Sequence, residues 1–201
     1  MRHAAWALGY HGCDESVGEA ILKGAAEVVP STNEHDWLGA GAYFWENSYA
    51  RALEWSKYLK TNPTHATSPI EKPFVVGAII DPGNCLDLSE SACLAVVKEA
   101  FINLKELMEK TGVPLPVNGR GYPGDTDLVE RRLDCAVINN LHQIRKENSD
   151  LPPFDTVRGL FTEGRELFEG AKIQSKTHVQ WCVRNSRKSI LGYFRPRQLM
   201  E

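Results

Sequence analysis

Two stretches of the sequence decide the fold: Tyr10-His11-Gly12 and, further along the chain, Gly39-Ala40-Gly41-Ala42-Tyr43-Phe44. The first stretch ends the apolar residues 4–10, whose small and aromatic side chains predict a short buried strand. The second leads into a helical pattern at about 48–60, which a polar side chain at its start can cap. Each stretch therefore lies at the edge of a predicted strand or helix.

Hydrophobic patterns elsewhere predict the remaining elements. Ser16-Val17-Gly18-Glu19 has the form of a capping box and predicts a helix that ends at Gly24. An apolar run at 74–80 predicts a buried central strand. Further patterns predict long helices at about 89–110 and 127–146, and strands at about 154–161, 179–183 and 189–194. This order predicts an α+β fold in one domain, 1–201, with a mostly antiparallel sheet, peripheral helices and a helical insertion at about 87–147.

The composition bounds the class of protein. Apolar residues make up 42% of the chain, which is enough for a sizeable core. No apolar run approaches the length of a membrane helix, and the N-terminus lacks the apolar stretch of a signal peptide, so we expect a cytoplasmic protein without a membrane partner. The five cysteines are scattered and the histidines lack metal-ligand spacing, which predicts reduced core thiols and no metal site.

Charge is distributed unevenly along the chain. The net charge is −3, but residues 171–201 carry seven basic side chains against Glu201 and are therefore +6, which leaves −9 for the rest. Such asymmetry suggests an anionic ligand or partner for the C-terminal part. A solvated basic face is an equally good interpretation of this segment.

The two stretches quoted first resemble the first two signature motifs of the ADP-ribosyltransferase superfamily, in the branch of the poly(ADP-ribose) polymerases and diphtheria toxin. In that family a His-Gly and a Gly-x-Tyr-Phe build the two walls of a nicotinamide pocket. The resemblance covers roughly residues 4–60 and 150–195. It implies a split sheet. It also implies that NAD is the substrate and that the reaction uses no metal.

The physical logic of such a pocket suits these residue types. A nicotinamide ring needs an aromatic face for stacking and a main-chain donor and acceptor for its carboxamide. Gly12 lets the backbone approach the amide closely, and Tyr43, with Phe44 beside it, supplies the aromatic face. His11 can bond a ribose hydroxyl, and the small residues 39–42 leave room for the dinucleotide.

Two further side chains are candidates for binding NAD. The family places a second ring wall eleven residues after the motif tyrosine. That position holds Glu54, so the neighbouring Trp55 is the candidate, with core packing as its other role. The family also uses a serine of this helix to bond the carboxamide. The nearest equivalent position here holds Arg51, so no residue is assigned this role. Arg158 can clamp a pyrophosphate or form an ion pair with Asp155 or Glu163.

The third family motif is an acidic residue on a late strand, which stabilises the oxocarbenium-like transition state. The matching strand here is His178–Val183, where the alternation leaves Gln180 in that place. Glutamine can bond a ribose hydroxyl but carries no charge, so chain elongation of ADP-ribose is not expected. A catalytic acid must then come from elsewhere, and Glu163 or Glu166 is the candidate.

The resemblance implies mono-ADP-ribosyl transfer to a macromolecular acceptor, either a protein or a nucleic acid reached through the basic C-terminal segment. By analogy of fold it also suggests a bacterial toxin or defence effector, with an antitoxin or inhibitor protein as a partner. NAD hydrolysis and an inactive module that binds NAD or ADP-ribose stay open. RNA 2′-phosphotransfer would need more basic pocket residues than Arg158, and Cys13 beside His11 permits a Cys/His nucleophile.

Overall fold

The strands form one seven-stranded sheet in the computed structural model, which describes residues 6–65, 68–120 and 128–197. In chain order the strands are β1 (Ala7–Asp14), β2 (Ala42–Glu46), β3 (Pro73–Ile80), β4 (Cys85–Asp87), β5 (Thr156–Phe161), β6 (His178–Val183) and β7 (Ile190–Phe194). Across the sheet the order is β4-β5-β6-β2-β1-β3-β7. Only β4 and β5 run parallel among these strands, so the predicted α+β fold with a mostly antiparallel sheet is confirmed.

Helices cover both faces of the sheet. They are α1 (Glu15–Leu22), α2 (Tyr49–Thr61), α3 (Ser91–Thr111), α4 (Arg132–Glu147) and the short α5 (Ser186–Ser189), with a 3-10 turn at Pro63–His65. On one face α1 buries Ile21 against Phe44 and Trp181, and this layer is the first core. On the other face α3 and α4 pack with Leu38 and Cys182 in the second core, while α2 packs beside Trp45. The predicted helical insertion therefore lies directly on the sheet.

Most predicted boundaries agree with the structure, and the differences have local causes. The first strand runs on to Asp14, so His11 and Gly12 lie inside it and not after it. The helix expected at about 127–146 would start at Asp127, which lies outside the described residues. The structure shows this helix from Arg132. Strand β4 was not predicted, because three residues give too short a pattern to read.

Helix α1 is capped by Asp14, the last residue of β1, and not by the predicted capping box. The Oδ1 atom of Asp14 accepts hydrogen bonds from the amide and the hydroxyl of Ser16, at 2.9 and 2.6 Å. Its Oδ2 atom accepts from the amides of Glu71 and Lys72, at 2.8 and 2.9 Å. Ser16 lies in the first turn and donates to the true cap, so one carboxylate both starts the helix and ties the 71–72 loop to it.

Asp14→Ala is expected to lower the free energy of unfolding by about 2 kcal/mol at pH 7, since four hydrogen bonds to a charged acceptor are lost. The hydroxyl of Ser16 and the amide of Lys72 hold the pKa of Asp14 well below its usual range. The stabilisation is therefore complete above the ordinary aspartate pKa of about 4, and it is lost as the pH falls through the lower folded value. Urea unfolding of both proteins at pH 7, 5 and 3.5 measures this.

The exposed Asp150 provides the control for this comparison, because its carboxylate accepts no hydrogen bond within the described residues. Asp150→Ala should change the stability by less than about 0.5 kcal/mol at every pH. A stability difference between wild type and Asp14→Ala that does not shrink at pH 3.5 would contradict the assignment.

Candidate functional site

The three strands that carry the motif residues are neighbours in the sheet. Strand β2 lies between β1 and β6, and Trp45 of β2 pairs directly with Gln180 of β6. On the other side of β2, the Nδ1 atom of His11 donates to the carbonyl oxygen of Tyr43 at 2.9 Å. The structure thus places His11, Tyr43 and Gln180 on three neighbouring strands, but the His11 side chain lies on the sheet face of Phe44, opposite the face of Tyr43 and Gln180.

The ladder between β1 and β2 stops next to His11, and we call the interval between the two strands beyond the last pair the gap. The two strands pair only at Gly9 and Tyr10, whereas β1 continues to pair with β3 as far as Asp14. The carbonyl of Leu8 accepts from the amide of Asn47, just after β2, so the main-chain groups of Leu8 point toward β2. This direction alternates along a strand, so every second residue after Leu8 also points toward β2. The N–H and C=O of Gly12 therefore point toward β2 beyond the last paired residue, and Gly12 itself is buried beneath α2.

The hydrogen bond of His11 fixes the protonation of its ring. A carbonyl oxygen only accepts, so Nδ1 carries the proton and Nε2 keeps its lone pair in the neutral ring. Burial lowers the pKa of His11, and the bond to the Tyr43 carbonyl opposes this shift only in part. The ring lies 5.8 Å from that of Phe44. At neutral pH His11 therefore presents an acceptor nitrogen, as a partner for a hydroxyl requires.

Tyr43 is more constrained than the sequence suggested. Its ring packs on the second core, and its hydroxyl donates to the Gly39 carbonyl at 2.8 Å and accepts from the Leu38 amide at 3.0 Å. Burial raises the pKa of the Tyr43 hydroxyl well above its usual value. The side chain remains half-buried, so only the exposed part of the ring is available for stacking.

Phe44 does not face a ligand. It is 0% exposed and belongs to the first core, because successive side chains of a strand point to opposite faces. The predicted contact between Phe44 and NAD is therefore wrong. Its ring instead fills the space that the absence of a side chain at Gly9 leaves open, since a Cβ there would lie 2.7 Å from the Phe44 Cβ.

Glycines near the gap serve close packing. A Cβ at Gly12 would lie 2.1 Å from the carbonyl oxygen of Ala52, so this glycine allows α2 to cross β1. A Cβ at Gly39 would lie 2.8 Å from Asn139 Oδ1, and one at Gly41 would lie 2.5 Å from Cys182 Sγ. The expectation that residues 39–42 leave room for a dinucleotide is wrong, because α4 and β6 fill that space.

Gln180 is held by a tryptophan that sequence reasoning did not single out. Its Oε1 atom accepts from Trp37 Nε1 at 2.6 Å. Trp37 lies over β5, where a Cβ at Gly159 would be 2.4 Å from its ring. The isolated glycine within the strand pattern at 154–161 was the one sequence signal of this close approach. Gln180 therefore lies on the sheet face shared with Tyr43, with its oxygen already engaged.

Glu163 lies beside α2, close to the start of β6. Its Oε2 atom accepts from Arg51 Nη2 at 2.9 Å, and Arg51 also pairs with Glu54, which in turn pairs with Lys176 at 2.9 Å. Glu166 is used within its own loop, where it accepts from the Gly170 amide at 3.1 Å. Of the two predicted acids, Glu163 is the one anchored next to the strand of Gln180.

Arg158 forms an ion-pair cluster with partners that were not predicted. Its Nε and Nη2 atoms donate to the two carboxylate oxygens of Glu46 at 2.7 and 3.0 Å, and Nη1 donates to Asp87 at 3.2 Å. The bonds to Glu46 are the main cause that raises the pKa of Arg158. Asp155 pairs instead with Lys188. A pyrophosphate would have to displace these carboxylates, so the structure does not support Arg158 as a phosphate clamp.

Trp55 lies on the surface of α2. It is 41% exposed, and its ring stacks on Tyr58 at 5.4 Å and contacts Trp45 at 6.1 Å. Core packing, the other role considered for Trp55 from the sequence, is therefore wrong. Among the described residues its ring contacts do not include Tyr43, so the second ring wall stays a prediction.

The cysteines are free and buried, as predicted. Burial raises the pKa of the Cys13 thiol to about 11, which leaves no appreciable thiolate at neutral pH and argues against a Cys/His nucleophile. Residues 6–65, 68–120 and 128–197 contain no group of three or more His, Cys, Asp and Glu side chains placed to hold a metal ion. Over the same ranges no helix is both long and apolar enough to cross a membrane.

The basic C-terminal segment is dispersed over the molecule. Lys188 pairs with Asp155 at 2.6 Å, and Arg195 pairs with Glu19. Arg184 donates to the carbonyl of Ala40 at 2.6 Å. Part of the positive charge is thus paired or used locally within the described residues.

Comparison with known proteins places the chain in a family. It is 38% identical over 198 residues to the uncharacterized protein MJ0359 of Methanocaldococcus jannaschii, an alignment that covers 88% of this chain and 81% of the relative. The chain belongs to the same family as MJ0359. No protein-family model and no solved structure matches it.

Proposed function

We propose that the chain is an NAD-dependent mono-ADP-ribosyltransferase whose nicotinamide site is the gap between β1 and β2. The observation that carries the proposal is the pair of main-chain groups on Gly12, which point into this gap beyond the last pair of the β1–β2 ladder. A carboxamide has one donor group and one acceptor and matches such a pair. The Nε2 atom of His11, fixed as an acceptor by its Nδ1 bond to Tyr43, supports a second contact, with a ribose hydroxyl.

The reaction needs little covalent chemistry from the protein. The bond between C1 of the ribose and the nicotinamide nitrogen breaks, and its electron pair leaves with nicotinamide. A nucleophile of the acceptor then attacks C1, and its proton passes to a base. Gln180 orients the sugar without adding charge, and Glu163, fixed by Arg51, is the candidate base for the proton. The transition-state cation is then stabilised less than a carboxylate in place of Gln180 would achieve.

A module that binds NAD without catalysis is the alternative, and two contacts in the site favour it. The side-chain oxygen of Gln180 already accepts a hydrogen bond from Trp37, and Glu163 is neutralised by Arg51. Both features weaken electrostatic stabilisation of a cation in the site. NAD hydrolysis is the third outcome, in which water replaces the macromolecular acceptor.

A titration and an assay separate these functions. Calorimetry with NAD measures binding, and chromatography of the free base measures nicotinamide release in the presence and absence of a cell extract. The proposal predicts binding, and release that depends on the extract, with ADP-ribose attached to a macromolecule. Release without an acceptor indicates hydrolysis, and binding without release indicates the module. The absence of NAD binding contradicts all three.

Gln180→Glu is expected to raise the rate of nicotinamide release by about tenfold, because a carboxylate stabilises the developing positive charge. Trp37 Nε1 can donate to the new carboxylate, so the local geometry is kept. Gln180→Leu is the matched control that removes the acceptor and should lower the rate. Rates measured at saturating NAD test this, and equal rates for the two variants would refute the assigned position of Gln180.

A further inference from the structure

A cavity lies away from the gap, at the edge of the sheet. Its volume is about 500 Å³, within the range of small-molecule sites. Tyr49 and Leu53 of α2 and Phe74 and Val75 of β3 form its walls, together with the chain after β7. The residues that line it include none of the motif residues of the proposed nicotinamide site.

The cavity exists because β7 ends before β3 does. The ladder between them stops at the pair Gly77 and Phe194, while β3 starts four residues earlier, at Pro73. Pro196 has no amide hydrogen and so cannot extend the ladder. The main-chain groups of His11 and Cys13 point toward β3, and those of their partners Val76 and Phe74 point back toward β1. The N–H and C=O of Val75, which lies between these partners, therefore point the other way, toward the cavity.

Two arginines give the cavity a positive charge. Arg195 and Arg197 line it, and its described lining holds no acidic side chain. Arg195 pairs with Glu19, and its guanidinium lies 5.4 Å from the centre of the Phe74 ring. Within the described residues Arg197 is exposed and forms no ion pair. Arg197 thus presents a guanidinium that no carboxylate of the described residues occupies, next to apolar walls.

We propose that this cavity is a second ligand site, which takes a small organic anion with a flat apolar group. The phosphate or carboxylate of the ligand binds Arg197 and Arg195, and the N–H of Val75 is an additional donor. The flat group lies against Leu53 and the rings of Tyr49 and Phe74. This site does not depend on NAD chemistry and accounts for part of the basic character of the C-terminal segment.

Fluorine NMR titration of the whole chain tests the proposal. The probes are 4-fluorophenyl phosphate, 4-fluorobenzoate and the uncharged 4-fluorobenzyl alcohol, with inorganic phosphate as competitor. We expect one of the two anions to bind with a dissociation constant of about 1 mM or lower, and the alcohol to bind at least tenfold more weakly. The stronger anion identifies the group that the site prefers.

Variants decide whether the cavity is responsible. Arg197→Gln, which breaks no ion pair in the described structure, should weaken anion binding by about tenfold, and Arg195→Gln together with Arg197→Gln should abolish it. Arg187→Gln, an exposed arginine outside the cavity, is the charge-matched control and should bind like the wild type. The proposal is overturned if neither anion binds at 10 mM (about ten times the expected constant), or if Arg197→Gln binds as well as the control. Thermal melting confirms that each variant is folded.

Discussion

His11→Ala is expected to lower the rate of nicotinamide release by about 100-fold or more. The substitution removes the Nε2 acceptor proposed for the ribose hydroxyl. It also removes the bond from Nδ1 to the Tyr43 carbonyl, which holds the edge of the gap. Misplacement of a bound substrate by even a small distance has large effects on rate. Initial rates over a range of NAD concentrations, with the affinity from calorimetry, separate the loss of rate from the loss of binding.

His35→Ala is the matched control, because this histidine is exposed and lies outside the sheet. It should release nicotinamide at the wild-type rate. His11→Gln keeps a side chain that can accept a hydrogen bond and should retain more activity than alanine. If His11→Ala kept the wild-type rate while the fold was intact, His11 would have no part in the reaction.

Gly12→Ala is expected to lower the free energy of unfolding by about 3 kcal/mol or more. The new Cβ would lie 2.1 Å from the Ala52 carbonyl oxygen, and neither β1 nor the backbone of α2 can move without breaking its own hydrogen bonds. We expect α2 to shift and the gap to change shape, so that NAD binding is lost with the stability. Urea unfolding followed by circular dichroism measures the first effect, and calorimetry the second.

Gly192→Ala provides the comparison, since it places the same methyl group on β7, where no atom lies within 4 Å of the new Cβ. This variant should be as stable as the wild type or slightly more stable, because alanine has less freedom in the unfolded chain. Equal stabilities of the two alanine variants would contradict the crossing of α2 over β1.

The sequence was sufficient for elements whose signals are local. The apolar run that forms β3 and the polar cap at the start of α2 each follow from neighbouring residues, and each was predicted. The cap of α1 was missed, because Ser16 has the form of a cap, whereas Asp14 also bonds a loop more than 50 residues away. Such long-range partners leave no local signal.

The site was predicted less well for the same reason. Sequence reasoning named His11, Gly12 and Tyr43, and the structure places their backbones around one gap. It did not foresee that Tyr43 is fixed by the Leu38 amide, or that Trp37 holds Gln180. These contacts depend on how the loop before β2 folds over the sheet, and no spacing in the sequence encodes it.

The proposed function depends on the binding of a carboxamide by Gly12 in the gap between β1 and β2. A crystal structure of the chain soaked with NAD tests it most directly. We expect the carboxamide to donate to the Gly12 carbonyl and accept from its amide, with a ribose hydroxyl bonded to His11 Nε2. Density for NAD elsewhere, such as in the cavity beside Arg197, with an empty gap at Gly12, would contradict it.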